Sequence, residues 1–211
     1  MPATRSAPLS AAELRTHLLP AVLPGGWASV AEPQDENPKG ASGAPATPSS
    51  CAELLDGQSV VDASTKAASA YATAMFSGGH SVGNGVIPGM EKLYSFPDDA
   101  AHRAMEDMRA LVARCRSVEL PHAAWEATET AGFAIAEGPR LGDESLVVQA
   151  MVTTGGEGGT ERADATVVRV GSSLVVISSV LSLTQAEAGT VAGFMSTAVA
   201  QVASDHPEPV G

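Results

Sequence analysis

Between Arg162 and Ala203 the spacing of apolar residues changes period. Leu174, Val175, Val176, Ile177, Val180 and Leu181 form a nearly continuous β-branched and apolar run. That is the pattern of a strand covered on both faces. Ala163–Val170 reads as a strand before it, and Gly171-Ser172-Ser173 turns the chain into Leu174–Leu183. Thr184 then caps a helix, with Glu187 three residues on completing a capping box. This hairpin and helix form the scaffold on which the remaining segments must pack.

The helical period recurs after Pro97-Asp98-Asp99, where Ala101, Met105, Met108, Leu111 and Val112 share one face. Proline at the first helical position and acids in the first turn favour a start there. Leu9–Leu19 reads as a short helix: Ser10 is the cap, Glu13 its N3 partner, and Leu14, Leu18 and Leu19 a narrow stripe. Pro20 ends it, and Pro24-Gly25-Gly26-Trp27 is a turn with Trp27 as a buried anchor. Ala31–Ser50, rich in Pro, Gly, Ser and Ala, reads as a mobile loop. Cys51 and the residues after it (CAELLDG) read as a helical turn with Leu54 and Leu55 inward.

Period-two patterns fill the rest. Ala67–Phe76 reads as a strand, since Tyr71, Thr73 and Met75 alternate with alanine. Val82–Phe96 carries Gly83, Gly85, Pro88 and Gly89, so it is expected to be bulged or broken before Met90–Phe96. Trp125–Thr130, Gly132–Glu137 and Ser145–Thr154 follow as strands, with Gly155–Gly159 a wide hairpin loop. Short glycine-rich connections argue against a doubly wound parallel sheet. The expected fold is α+β: a single antiparallel sheet with helices packed mainly on one face. Residues 1–50 form an N-terminal helical arm and flexible loop, 51–204 the main domain, and 205–211 a frayed tail.

Composition narrows the function. Hydrophobic residues make up 44% of the 211 residues but aromatics only 4%, so the core is built of Ala, Val, Leu and Met. A net charge of −12 repels nucleic acid and anionic lipid, and neither is expected as a partner. No apolar run approaches the ~20 residues of a membrane span. The N-terminus lacks the basic-then-apolar order of a signal peptide. Cys51 and Cys115 are the whole thiol inventory, too few for a zinc cage, and no metal or cofactor is expected.

Motif order adds a resemblance. SSCAELL is followed by YSFPDDAAHRAMEDMRALVARC, then by Arg169-Val170-Gly171-Ser172-Ser173-Leu174-Val175-Val176 and a terminal helix, with LPGGW near the start. This order resembles the PknH-like extracellular domain family: sensor domains of actinobacterial serine/threonine kinases, which also occur as secreted proteins and lipoproteins. The resemblance spans roughly Leu9–Val202 and implies a secreted or cell-surface α+β domain. It also implies a cleft over the sheet for an unidentified small ligand or cell-envelope component. Kinase-linked members carry two disulfides, whereas this chain can form only one, and it has no kinase segment. A Cys51–Cys115 bond would close a loop of about 64 residues, contributing about 4 kcal/mol on a chain-entropy estimate. It would also place the protein in an oxidising compartment, as a trimmed chain whose precursor could carry a signal or lipid anchor. The alternative is two buried free thiols in a cytosolic protein.

Candidate chemistry is sparse. Gly79-His80-Ser81-Val82-Gly83 matches the nucleophile-elbow pattern G-x-S-x-G, with Asp143, Asp164 and His206 downstream. The elbow needs a helix from Val82, which Gly83, Gly85, Pro88 and Gly89 oppose. A serine hydrolase using Ser81 is therefore the alternative to a non-enzymatic sensor or ligand-binding domain, and an acidic protein-interaction module is a third reading. His102 and Glu106, one helical turn apart, lack a third ligand on that face and read as a solvated pair. Gly155–Gly159 lacks the Lys-Ser/Thr and helix of a phosphate loop. Met75, Met90, Met105, Met108 and Met151 read as core filler, or else as the lining of an adaptable pocket. Any ligand cleft is expected between the sheet and the main helix, near Tyr71, Tyr94, Trp125 and Met151.

Overall fold

The computed structural model describes residues 8–32, 51, 54, 57–78, 87–121, 128–154, 160–180 and 185–204. The expected mobile loop beyond Glu32, the GHSVG motif, Trp125, the Gly155–Gly159 loop, His206 and the C-terminal tail lie outside them.

The fold is α+β, one antiparallel sheet with, among the described residues, four α-helices. The strands are β1 (Val22–Leu23), β2 (Trp27–Ala31), β3 (Ala70–Gly78), β4 (Ile87–Ser95) and β5 (Ser117–Pro121). They continue as β6 (Thr128–Glu137), β7 (Glu144–Thr154), β8 (Thr160–Val170) and β9 (Ser173–Val180). The helices are α1 (Ala11–Thr16), α2 (Gly57–Ser64), α3 (Ala100–Arg114) and α4 (Gln185–Ala203). Among the described residues, nine strands run in the order β1-β2-β3-β4-β9-β8-β7-β6-β5. The β8–β9 hairpin that the sequence singles out sits inside the sheet, paired with β7 on one side and β4 on the other.

The helices divide between both faces of the sheet, which corrects the expectation of helices mainly on one. In β9, Leu174 and Val176 join a core with α2 and α3, while Val175 and Ile177 join a core with α1 and α4. The apolar, two-sided run at Leu174–Ile177 requires that arrangement, because alternate side chains point to opposite faces. Each face buries its own cluster. Under α3 lie Met105, Met108, Leu111 and Val112 with Leu146, Val148 and Val167. Under α1 and α4 lie Leu14, Trp27, Phe76, Leu93, Phe194, Met195 and Val202.

Several local readings are revised. Trp27 is buried as expected, but it begins a strand: β1 and β2 extend the sheet beyond β3. Its ring meets Phe194 and Phe76 with centroids 5.5 and 5.9 Å away, and Phe76 meets Phe194 at 5.7 Å. The break expected near Pro88 and Gly89 is absent, because both lie within β4, paired with Ser77 and Phe76. Gly89 is needed there: an added Cβ would stand 2.2 Å from the Phe76 ring. The start of α3 falls at Ala100 rather than at the Pro97 segment, since Asp98 takes a left-handed conformation (φ 53°) and Asp99 is the N-cap. The capping box of α1 is present, with the Ser10 amide bound to Glu13 at 2.7 Å.

Cys51 and Cys115 are joined in a disulfide, with Cα atoms 5.4 Å apart. Cys115 is the C-cap of α3, so the bond ties the chain before α2 to the end of α3.

Candidate functional site

Antiparallel pairing of β3 with β4 sets Tyr71 opposite Tyr94, Thr73 opposite Lys92 and Met75 opposite Met90. Tyr94 and Tyr71 belong with the α2/α3 core, so by alternation this whole row points to that face. α2 and α3 pack over β6, β7 and β8. Toward β4, α2 reaches this face through Asp62, and Thr73 and Tyr94 are buried there.

Where α2 meets β4 the contact is polar. The carboxylate of Asp62, on α2, accepts the Tyr94 hydroxyl at 2.8 Å. It also accepts the Lys92 ammonium, at 2.8 Å to Oδ1 and 3.1 Å to Oδ2. The side chain of Lys92 is 18% exposed, that of Asp62 47%. Burial, then the charge of Asp62, pushes the Tyr94 hydroxyl well above its ordinary range, so it stays a neutral donor. The Tyr71 and Tyr94 rings are 6.4 Å apart. Outward from Lys92, Met75 and Met90 are half-buried, and the sheet edge carries Val30 (68% exposed) and Val22 (84%). The result is an apolar floor with one cation, one carboxylate and one phenol along its inner border. Such a set can hold an amphipathic molecule; it supplies no activated nucleophile.

The structure brings Tyr71 and Tyr94 together at this border. Met151 does not join them: it alternates with Val148 and Ala150 of the α3-side core, so it points from the opposite face, 51% exposed. Trp125 lies outside the described residues. The space between α3 and the sheet, where the cleft is expected, is packed solid by Met105, Met108, Leu111 and Val112. Sequence reasoning passed over Asp62 and Lys92. Lys92 had a usable signal, since in a strand it must share a face with Met90 and Tyr94. Asp62 had none, because α2 was not foreseen.

A second polar cluster joins α3 to the far end of the sheet. Glu144 binds Arg109 (2.7 Å), His102 (3.1 Å) and Arg169 (3.4 Å). Burial pulls the Glu144 carboxyl upward, but the hydrogen bonds from Arg109, His102 and Arg169 outweigh it and hold it below the usual range. His102 and Glu106 stand 3.6 Å apart, and His102 is shared with Glu144. Two acids weighed for a hydrolase are engaged by arginines: Asp143 by Arg169 and the Gly171 amide, Asp164 by Arg162. This cluster is a brace between elements.

No family model matches the chain, and no curated protein matches it. Among solved structures it is similar to the extracellular domain of PknH from Mycobacterium tuberculosis, at 16% identity and a TM-score of 0.46, covering 92% of this chain and 98% of that one.

Proposed function

We propose that this chain is a non-enzymatic, extracytoplasmic ligand-binding domain of the sensor type. It holds a small, partly apolar ligand on the α2/α3 face of β2–β4, toward the exposed edge at Val30. The observation that carries the reading is the Met75–Met90–Val30 floor beside the Lys92–Asp62–Tyr94 border, where apolar area and a partly buried cation adjoin. Tyr71 lies at the same border and belongs to the proposed site. The Cys51–Cys115 disulfide supports an oxidising compartment. The motif order read from the sequence supports a secreted or surface-anchored precursor and a cell-envelope ligand.

Methionine methyl NMR tests this. Decanoate, titrated below its micelle concentration, is expected to shift the Met75 and Met90 methyl signals saturably. The fully buried Met105 and Met108 serve as internal controls. Lys92→Ala is expected to weaken binding about tenfold, the scale of one charge-assisted contact. Equal small shifts at all four methyls, or saturable shifts unchanged in Lys92→Ala, would sink the assignment.

A further inference from the structure

Glu91 is the acid next to Lys92, and alternation sends it to the opposite, sealed face. There it is 0% exposed. Its cross-strand neighbours are Ala74 and Ile177, and Leu93 follows it on the same face of β4. Oε2 accepts the Leu19 amide at 2.8 Å, and Oε1 has no hydrogen-bond partner. Leu19 belongs to the N-terminal arm, whose Leu14 and Leu18 also pack into this core. A buried carboxyl thus holds the arm by one backbone hydrogen bond.

The surrounding charges do not compensate it. From the arm come Glu13, Arg15 and His17. Glu13 is committed to Ser10, and Arg15 reaches the Glu32 carbonyl. β3 contributes Tyr71, which belongs to the other face, and β9 has no titratable residue. From Gly189 to Ala203, α4 carries none. Burial raises the Glu91 carboxyl, the Leu19 amide lowers it less, and the balance stands at about 7.

We propose that Glu91 is a proton-operated latch for the N-terminal arm: the neutral acid is compatible with the closed contact between α1 and the sheet, and its ionisation loosens that contact. An uncompensated carboxylate in this core is costlier than a neutral acid with one unused oxygen. Lifting the arm lets water reach the charge. The sign follows from the raised value. Docking is at full strength below the ordinary carboxyl value of 4.5, weakens up to tenfold per pH unit above it, and levels off past about 7.

Hydrogen exchange tests the latch, with protection factors corrected for the intrinsic pH dependence of exchange. For the amides of residues 9–23, wild-type protection is expected to fall by about two orders of magnitude between pH 4.5 and 7.5. Amides of the β8–β9 hairpin should change much less. Glu91→Gln should abolish the fall, and His17→Gln should keep it. Constant protection in the wild type, an equal fall in β8–β9, persistence of the fall in Glu91→Gln or its loss in His17→Gln would each overturn the proposal. A carbon-detected titration of the wild-type carboxyl stands even if Glu91→Gln does not fold. A midpoint near 7 supports the latch; one below 5 refutes it.

Discussion

The two faces of the sheet solve opposite problems with the same strands. On the α1/α4 face, β3 and β4 contribute Ala72, Ala74, Phe76 and Leu93, and three aromatic rings seal the layer beneath α4. Its acid, Glu91, takes a single backbone amide as its hydrogen-bond partner. On the α2/α3 face the same strands contribute Tyr71, Lys92 and Tyr94, and the Lys92 ammonium and Tyr94 hydroxyl meet the half-exposed Asp62. That face is covered by α2 and α3 over β6–β8 and opens at its β1–β2 edge, where Val22 and Val30 are exposed. A sealed layer tolerates a polar group best when it is neutral, whereas a half-open layer leaves its charges in reach of water and of a ligand. On the proposed function, stability and recognition fall to different sides of one sheet.

The largest expected effect comes from opening the sealed side. Phe76 touches Trp27 and Phe194 and is 1% exposed. Phe76→Ala removes a ring at the centre of that layer and is expected to cost about 3–5 kcal/mol in urea unfolding. It should leave methyl shifts on the Met75 side nearly unchanged if the faces act independently. A loss under 1 kcal/mol would mean that the aromatic cluster is not what holds α4 down.

The disulfide probes the other side. Cys115 packs in the α3 core, and its bond fixes the chain entering α2, which carries Asp62. The double change Cys51→Ser, Cys115→Ser is expected to lower stability by about 2–4 kcal/mol. It should also loosen the Asp62–Lys92 border, read as weaker decanoate binding at pH 7. Loss of stability with full binding would show that α2 is positioned by its own packing, through Val60 and Val61, and not by the staple.

How far the two faces were legible in the sequence follows from the same residues. The β8–β9 hairpin and the main helix announced themselves by strong periodicity, and α4 by the capping pattern of Thr184 and Glu187. The two-sided burial of Leu174–Ile177 was visible too, yet it implies helices on both faces, and that step was not taken. β1 and β2 were hidden because Pro24, Gly25 and Gly26 dominate the local pattern, and a two-residue strand has no periodicity to detect. β4 was masked by Pro88 and Gly89, which read as breakers until Phe76 is seen filling the space a Cβ would need. Of the residues chosen for a site, Tyr71 and Tyr94 come together because they are directly opposed across β3 and β4. Met151 could not be sorted by size and polarity alone, since the face it takes depends on register. Glu91 and Lys92 show the same limit: adjacent charges read as surface in a sequence, but in a strand with two packed faces one of them must be buried.

The smallest expected effect lies at the brace between α3 and the sheet, and it sharpens the contrast with Glu91. Both acids are partly or wholly removed from water, but Glu144 has two arginines and a histidine where Glu91 has a single amide. Their pH dependences therefore run in opposite directions. Glu144 is held below its ordinary value of 4.5, so its contribution is present above that value and lost as pH falls through the lowered one. Arg109→Ala removes one of three partners from a site that still touches solvent, and is expected to cost about 0.5–1 kcal/mol at pH 7. The cost should shrink in high salt, and shrink further as pH falls through the lowered value and the carboxyl takes up its proton. Thermal unfolding of wild type and variant at pH 3, 5 and 7 checks this. A cost that grows as pH falls would mean that Arg109 acts through packing of its alkyl chain on α3, and the pairing with Glu144 would then carry no stability of its own.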